Sequence, residues 1–367
     1  MIENIKIRNF KSIRDASIDL NRINVLIGEN GAGKSNFIAF FEFVKSIFAR
    51  RLSQYILYRN GIDHLLYKGR RVSDYIFGFI DFDNINAFEF KILPAQGGEA
   101  FIEYTKHYFN QNYKEDELKQ YQTGWHPVIW DSNVKESDIL NNKKWRAEYL
   151  QDNLRSFNVY HFHDTSYNSK LRLPSRVADN QFLRPDGENL AAVLYKLKDS
   201  DITAFRIIEG TVRSIAPYFR QFRFVTNNTE KGETVSLEWE ENNSDMYLNA
   251  YDLSDGTLRF IALATLLLQP SLPETIIIDE PELGLHPVAI NKLAALIRRV
   301  SESSQIIVAT QSVSVVNNFD VDEIIVVNRR DGQSCFDRLN PDDFKEWLDR
   351  YGSTGVLWEK NIIGGQP

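Results

Sequence analysis

The chain has 367 residues, of which 43% are hydrophobic and 25% are charged, and its formal net charge is −7. This composition is typical of a soluble globular protein, and the acidic balance argues against a protein that coats nucleic acid. Its apolar runs are far shorter than the roughly 18 residues of a membrane span, and the first residues lack the pattern of an export signal. The single cysteine, Cys335, excludes an internal disulfide and a zinc site built from cysteines. We therefore expect a cytoplasmic protein without membrane contact.

The amino-terminal residues predict two strands, a glycine loop and a buried helix. Residues 2–8 and 17–20 alternate apolar and polar side chains, as strands do. The apolar run 25–27 leads into GENGAGKS at 28–35 and then into an apolar helix over 37–48. Strand, loop and helix with the spacing G-x-x-x-x-G-K-S are typical of a P-loop. A chance match is expected in roughly one chain of this length in a hundred.

The P-loop predicts a site for a nucleoside triphosphate. Gly31 and Gly33 let backbone N–H groups approach phosphate oxygens beside the positive end of the helix. Lys34 supplies a mobile charge for the β- and γ-phosphates, and the Ser35 hydroxyl is placed to bind Mg²⁺. The predicted nucleotide contacts of the loop are Asn30, Gly31, Ala32, Gly33, Lys34 and Ser35.

After the P-loop helix, three β-rich segments at 75–82, 86–93 and 100–105 predict an antiparallel sheet. Residues 106–158 are polar and acidic and contain three Trp, which indicates an insertion. It lacks the heptads of a long coiled coil. Its aromatic side chains form either a small core, which we favour because Trp buries readily, or a docking surface. They include Trp125, Trp130 and Trp145.

The segment Val159 to Thr165 predicts a strand on which His161 and His163 share a face, followed by Asp164. These side chains could supply three of the four ligands of a zinc site. No further His or Cys lies nearby in the sequence, so the pattern disfavours a zinc site. Downstream, the pattern predicts helices over 187–199 and 202–214 and strands over 219–226 and 234–240.

Two segments of the second half carry further site residues. Thr275 to Asp279 is a buried strand that ends in two carboxylates, where Asp279 would bind Mg²⁺ through water and Glu280 would take a proton from the attacking water. The alternative is an Asp-Glu pair on the surface, which rarely follows four buried β residues. Upstream, Ser254 and Gly256 precede a helix and form a second anion site. Because the P-loop already serves one nucleotide, we expect this second site to serve the nucleotide of another subunit.

The P-loop, the LSDG segment at 253–256 and the DEPE segment at 279–282, with about 245 residues between Lys34 and Asp279, resemble the RecF, SMC and OLD branch of ABC-type ATPases. The resemblance covers residues 2 to about 330 and extends to small stand-alone AAA-family ATPases predicted in bacterial genomes. It implies an α/β P-loop NTPase of the ABC-ATPase head type. Such a fold has a mixed central sheet, a flanking antiparallel sheet and a helical second lobe, without a long coiled coil. It also implies ATP and Mg²⁺ as cofactors and a homodimer or higher oligomer that shares its ATP sites.

The same resemblance implies roles for single residues. Lys11, in the segment 7–13, would lie near bound nucleotide, and His163 with Asp164 would sense the γ-phosphate or Mg²⁺. His286 would position a loop across the dimer, with helix capping as the alternative. Gln311 stands where these ATPases usually have a switch histidine, and glutamine can donate a hydrogen bond but cannot carry positive charge. Gln311 is therefore a catalytic candidate that puts fast turnover in question.

The predicted organisation is an ATPase lobe over 1–105, an insertion with the second lobe over 106–252, and the remaining half of the ATPase core over 253–367. ATP-driven head closure would gate a DNA- or partner-directed response, and the resemblance implies anti-phage defence with a nuclease or toxin partner in trans. The alternatives are a RecF-like repair factor and a nucleotide-dependent scaffold with negligible hydrolysis. We expect no nuclease activity in this chain, because the short tail carries only surface carboxylates. These are Asp342, Asp343, Glu346, Asp349 and Glu359.

Positive charge is concentrated near the amino terminus. Residues 1–75 contain 13 Lys and Arg against 7 Asp and Glu, so this part of the chain has a local charge of +6. Such an excess is consistent with contact to a nucleic-acid backbone, although charges that serve ATP or remain solvated explain it equally well. The predicted DNA contacts, called the four-arginine set below, are Arg50, Arg51, Arg70 and Arg71.

Overall fold

The computed structural model describes residues 1–110, 125–141, 147–230 and 232–365. The strands of these residues are β1 (Ile2–Phe10), β2 (Ile13–Asp19), β3 (Ile23–Ile27), β4 (Ile76–Phe82), β5 (Asn86–Pro94), β6 (Ala100–Asn110), β7 (Trp125–Val134), β8 (Asn158–Tyr160), β9 (Ser175–Arg176), β10 (Phe219–Thr229), β11 (Gly232–Glu241), β12 (Tyr247–Asn249), β13 (Thr275–Asp279), β14 (Gln305–Ala309), β15 (Ile324–Arg330) and β16 (Gln333–Arg338). The α-helices are α1 (Lys34–Phe48), α2 (Leu52–Tyr58), α3 (Ala147–Ser156), α4 (Leu190–Ser200), α5 (Ile202–Ile215), α6 (Asp255–Leu268), α7 (Pro287–Val300), α8 (Val313–Val316), α9 (Lys345–Tyr351) and α10 (Thr354–Glu359). No helix in these ranges is long and apolar enough to cross a bilayer.

The central sheet has the strand order β16-β15-β3-β14-β13-β8. All its neighbouring strands are parallel except the β15–β16 pair. Every residue of β3 and of β14 is buried, which explains why these strands are mostly apolar and do not alternate, with Asn24 and Gln305 as their buried polar residues. The carboxyl ends of β3, β14 and β13 therefore meet at one edge of the sheet, which is where ligands of such sheets bind.

A second sheet is antiparallel throughout, with the order β2-β1-β4-β5-β6-β7. Helix α1 contributes Phe37, Phe40, Phe41 and Phe43 to the core between the sheets, and all four side chains are buried. A helix buried on nearly all sides explains the apolar sequence of this segment.

The antiparallel sheet continues past residue 105, the predicted end of the first lobe. Strand β6 runs to Asn110, and β7 pairs with it from the segment predicted as an insertion. The half-buried Trp130 packs against the core beneath this sheet, and its ring centroid lies 5.3 Å from that of His107. The Trp125 side chain and Trp145 lie outside the described residues. For Trp130, the structure thus favours the core interpretation over a docking surface.

The predicted elements of the second lobe are present. Helices α4 and α5 correspond to the segments predicted over 187–199 and 202–214, and β10 and β11 pair in a small sheet with β9 and β12. The predicted strand over 159–165 is wrong, because β8 pairs with β13 only over residues 158–160. Beyond Tyr160, the Arg259 guanidinium binds the carbonyl oxygens of Phe162 and His163 at 2.7 and 2.8 Å. These two carbonyl oxygens therefore accept hydrogen bonds from the Arg259 side chain and not from the backbone of a neighbouring strand.

Candidate nucleotide site

The P-loop connects β3 to α1, and only some of its backbone N–H groups are paired: the Ala32 N–H donates to the Glu29 carbonyl oxygen at 3.2 Å. The N–H groups of Gly31, Gly33, Lys34 and Ser35 donate no hydrogen bond to the described residues. Gly31 and Gly33 have φ of 79° and 126°, which favours glycine. A Cβ atom at Gly33 would lie 2.0 Å from the Ser334 hydroxyl oxygen. Four unpaired N–H groups at a helix start fit the oxygens of a phosphate chain.

The side chains of Ser12 and Ser334 form hydrogen bonds on the outer side of the P-loop. The Ser12 and Ser334 hydroxyl oxygens are 2.7 Å apart, and Ser334 donates to the Ala32 carbonyl oxygen at 2.5 Å. Asn36 of α1 donates to Ser12 Oγ at 2.7 Å. Lys11, the residue before Ser12, is half-buried, and burial together with the Arg59 charge lowers its pKa. The structure thus brings the Lys11 turn against the P-loop, although it records no hydrogen bond of the Lys11 side chain.

Lys34 lies inside the loop, with only 6% of its surface exposed. Its Nζ donates to the carbonyl oxygens of Gly28 and Glu29 at 2.6 and 3.2 Å. Burial lowers its pKa, and the nearby carboxylates of Glu280 and Asp279 act in the opposite direction. The predicted phosphate-binding lysine and the two predicted carboxylates therefore belong to one electrostatic site.

The ends of β13 and β14 place Glu280 and Gln311 side by side. Parallel pairing sets Asp279 opposite Ala309, and the Glu280 N–H donates to the Ala309 carbonyl oxygen at 2.8 Å. Glu280 has a φ of 44°, a left-handed conformation that is costly for a residue other than glycine. The Gln311 side-chain amide donates a hydrogen bond to Glu280 Oε1. Gln311 thus contacts the predicted general base directly.

Glu282, which the sequence analysis left without a role, fixes the loop after β14. Its Oε1 accepts hydrogen bonds from the Thr310 hydroxyl at 2.6 Å and from the Gln311 N–H at 3.2 Å. Burial raises the pKa of Glu282. Glu282, the second glutamate of the DEPE segment, therefore positions Gln311 by binding the backbone N–H of Gln311. The place of Glu282 in that motif is the one sequence feature that could have indicated this role.

The two histidines reach the site, but Asp164 does not join them. His163 Nε2 lies 2.7 Å from the Asp279 carbonyl oxygen. His161 Nδ1 lies 3.8 Å from Asp279 Oδ2, and its Nε2 lies 3.6 Å from a carboxylate oxygen of Glu42. Burial raises the pKa of Asp279, and both histidines oppose this. Asp164 is exposed and accepts the Ser166 N–H at 3.0 Å, and the described residues contain no metal-binding group of three His, Cys, Asp or Glu side chains.

The LSDG segment begins α6, and Ser254 is its N-cap. Ser254 Oγ accepts the Thr257 N–H at 3.2 Å, and Ser254 remains exposed. A Cβ atom at Gly256 would lie 2.4 Å from the Gly284 carbonyl oxygen, so α6 packs directly on the loop after β13. Arg259, one turn further along α6, binds the backbone at Phe162 and His163 as described above. One helix therefore contacts both the histidine segment and the loop that follows the carboxylates.

Arg172 and His286 stabilise the starts of two helices. Arg172, which no sequence pattern indicated, is buried and donates to the Thr165 carbonyl at 3.0 Å and to Asp255 at 2.7 Å. It thereby fixes the start of α6. His286 is the N-cap of α7, and its Nδ1 accepts the Val288 N–H at 3.3 Å. The structure thus shows the capping role that was the alternative for His286.

The four-arginine set is exposed, but two of its members are neutralised locally. Arg50 pairs with Asp138 at 3.1 Å, and Arg70 pairs with Asp63 at 2.6 Å.

The five tail carboxylates of Asp342, Asp343, Glu346, Asp349 and Glu359 are all exposed, as expected.

Comparison with protein families gives a match over most of the chain. The sequence model of a family described as "AAA domain, putative AbiEii toxin, Type IV TA system" matches residues 23–317. Among curated proteins, the phosphate import ATP-binding protein PstB of Mycoplasmoides gallisepticum is 23% identical over 116 residues, which is 30% of this chain and 35% of that protein. The energy-coupling factor transporter ATP-binding protein EcfA2 of Staphylococcus epidermidis is 29% identical over 105 residues, 28% of this chain and 36% of that protein. The chain thus spans only about a third of the length of these relatives.

Solved structures resemble most of the chain. A crystal structure of the Smc head bound to the C-winged helix domain of ScpA gives a TM-score of 0.63 at 18% identity and covers 94% of this chain and 99% of that chain. The Smc head domain with an extended coiled coil from Pyrococcus furiosus, bound to the C-terminal domain of ScpA, gives 0.57 at 17% identity and covers 96% and 99%. At such identities the likeness shows the fold alone. It confirms the predicted P-loop head fold.

Proposed function

Because the chain belongs to the family of AAA domains described with a putative AbiEii toxin and a type IV toxin–antitoxin system, we propose that it is an ABC-type ATPase that binds and hydrolyses ATP in sites shared by two copies. The observation that carries this proposal is the convergence of Lys34, Asp279 and Glu280 at one sheet edge, with Gln311 bonded to Glu280. A P-loop with unpaired N–H groups lies at the same edge.

Each side chain then has a task in hydrolysis. The loop N–H groups and Lys34 bind the phosphate oxygens. Glu280 accepts the proton of the attacking water as the water oxygen bonds to the γ-phosphorus, while the bond between the γ-phosphorus and the β,γ-bridging oxygen breaks and ADP leaves. Gln311 orients the Glu280 carboxylate. Ser35 and Asp279 offer a hydroxyl and a carboxylate, the oxygen ligands that Mg²⁺ prefers, and would hold that ion. Bound there, Mg²⁺ would offset the negative charge of the phosphates.

The exposed N-terminus of α6 supports sharing of the site between copies. Ser254 and the Gly256 N–H lie at a helix start that presents positive partial charge. Gly256 packs against Gly284, so closure of a second copy onto this surface would also contact the loop after the predicted general base. We propose a homodimer, or a larger assembly built from it, in which this surface meets the γ-phosphate bound by the partner.

The response controlled by closure is proposed to be DNA- or partner-directed. The description of the family, "AAA domain, putative AbiEii toxin, Type IV TA system", supports a link to toxin–antitoxin systems, and we propose that the chain serves bacterial anti-phage defence with a nuclease or toxin acting in trans. The exposed Arg51 and Arg71 support DNA contact at the amino-terminal lobe. The tail carboxylates are dispersed on short helices, which supports the absence of a nuclease centre in this chain.

The test replaces Glu280 by Gln, which keeps the shape of the side chain but removes the base. We expect ATP binding to persist and turnover to fall by about 10²–10⁴-fold. Light scattering should show an ATP-dependent dimer that persists in this variant. Parent-like hydrolysis by Glu280→Gln, with no ATP-dependent change in mass, would overturn both the catalytic assignment and the shared site. Negligible turnover in the parent chain, with an ATP-dependent dimer, would favour the scaffold instead.

A further inference from the structure

A cavity of about 550 Å³ lies between α1, α2 and β8. No residue of the P-loop, Gly28–Ser35, borders it within the described part of the chain. Its volume is in the range of pockets that bind small ligands. The polar and aromatic side chains that line it include Lys45, Arg51, Gln54, Tyr55, Arg59 and Asn158.

Two cations in this cavity have no acidic partner among the described residues. Lys45 donates from Nζ to the Asn158 amide oxygen, and the Arg51 side chain takes part in no described ion pair. Burial and the charge of Arg51 lower the pKa of Lys45 to about 8. By contrast, the neighbouring Arg50 pairs with Asp138, and Arg59 pairs with Glu42 at 2.9 Å. The cavity is also lined by the carboxylate of Glu42, but this group is already paired with Arg59, so the charges of Lys45 and Arg51 together favour an anion between them.

The aromatic and amide side chains that line the cavity indicate which kind of anion it binds. The Tyr58 ring is 77% exposed at this cavity, whereas the half-buried Tyr55 ring packs against Phe43 and lies under the Arg59 guanidinium. An exposed ring such as that of Tyr58 stacks on nucleobases, and the amides of Gln54 and Asn158 can donate and accept hydrogen bonds. A phosphomonoester carries nearly two negative charges at neutral pH, which matches two cations. We infer that this cavity binds a nucleotide unit through its 5′-phosphate, either as a free mononucleotide or as the end of a nucleic-acid strand.

A chain of contacts connects this cavity to the end of β13. Glu42 Oε2 accepts the hydrogen bond of Arg59, and Glu42 Oε1 lies 3.6 Å from His161 Nε2. His161 Nδ1 lies 3.8 Å from Asp279 Oδ2. A phosphate that attracts Arg59 away from Glu42 changes the charge that faces His161, and through it the surroundings of Asp279. An effect on ATP turnover rests on the proposed function, whereas binding in the cavity does not.

Binding is tested in a Lys34→Ala chain, so that the P-loop does not retain the probe. Isothermal titration uses AMP, a short oligothymidylate with a 5′-phosphate, and the same strand with a 5′-hydroxyl. We expect saturable binding of a phosphate-bearing probe that falls about tenfold or more in Lys45→Gln and in Arg51→Gln. Arg50→Gln removes an adjacent charge outside the cavity and should change the affinity less than twofold.

A preference for AMP identifies a free nucleotide, and a preference for the 5′-phosphorylated strand over the 5′-hydroxyl strand identifies a strand end. Absence of saturation by every probe at millimolar concentrations overturns the inference, as does parent-like affinity in Arg51→Gln, which changes an exposed side chain. In the chain with Lys34 intact, the bound probe should change ATP turnover, and Glu42→Gln should abolish that change. A parent chain without turnover would refute the proposed function and leave the titration result standing.

Discussion

Replacing Gln311 by Ala tests the most specific contact in the site. The Gln311 amide donates to Glu280 Oε1, while the loop itself is fixed by Glu282, which binds the Gln311 N–H and the Thr310 hydroxyl. The substitution therefore removes one hydrogen bond to the carboxylate and leaves the backbone contacts in place. ATP affinity should stay within a factor of about two to three, because the P-loop is untouched.

The size of the effect follows from the chemistry of that bond. A hydrogen bond to a charged group is worth about 1.5–3 kcal/mol. If the bond orients Glu280 for proton abstraction, its loss should lower the turnover rate by about 10–150-fold. Single-turnover hydrolysis and an ATP-binding titration separate the chemical step from binding. Ser312→Ala is the matched control, because this side chain makes no capping hydrogen bond at the same loop.

A double-mutant cycle sharpens the test. In a Glu280→Gln background the orienting bond serves no base, so adding Gln311→Ala should change turnover little. Gln311→His should also lower turnover in the parent chain, because the shorter imidazole replaces a donor already bonded to Glu280. A rise with His would mean that glutamine limits the reaction. Unchanged turnover in Gln311→Ala would refute the orienting role altogether.

Three further predictions concern other parts of the molecule. Mixing a Lys34→Ala chain with a Ser254→Arg chain should restore part of the ATPase activity, because each heterodimer has one site with both halves intact; background activity on mixing would exclude sites shared in trans. Reversal of the four-arginine set to Glu should weaken salt-dependent DNA binding and leave ATP affinity unchanged, and an unaltered DNA titration would remove the proposed contact. Burial raises the pKa of Asp81 to about 6 from 3.8, and its Oδ1 has no described partner. Because the folded state favours the neutral form of Asp81, the free energy of unfolding should fall as pH rises from about 4 to 6. Asp81→Asn should therefore raise the free energy of unfolding by up to about 3 kcal/mol at pH 8 and change it little at pH 3.5, as measured by urea denaturation.

The parts of the site that rest on short patterns were predictable from the sequence. The P-loop spacing placed Lys34 and Ser35 at the start of α1, and the apolar run before Asp279 placed that carboxylate at a strand end. Both predictions depend on neighbours within a few residues, where backbone preference and burial act together. The antiparallel strands were predicted for the same reason.

Contacts between distant segments were not predictable. The strand expected over 159–165 ends at Tyr160 because Arg259, almost 100 residues away, binds the carbonyls that would continue it. The Gln311 bond to Glu280 depends on the register of β13 against β14, which no local pattern encodes. Strand β7 includes Pro127 and was assigned to an insertion, yet its pairing with β6 extends the sheet.

The position of β3 in the central sheet has a consequence for synthesis on the ribosome. Its two neighbours are β14 and β15, which pair with it through Ile306 and Ile324, about 280 to 300 residues later in the chain. At roughly 5–20 residues per second, the fully buried strand β3 that leads into the P-loop is made about 15–60 s before the strands that cover its edges. During that interval the antiparallel strands can already pair among themselves. Chains interrupted before residue 305 should therefore expose the edges of β3 and aggregate, even though they contain the complete phosphate-binding loop.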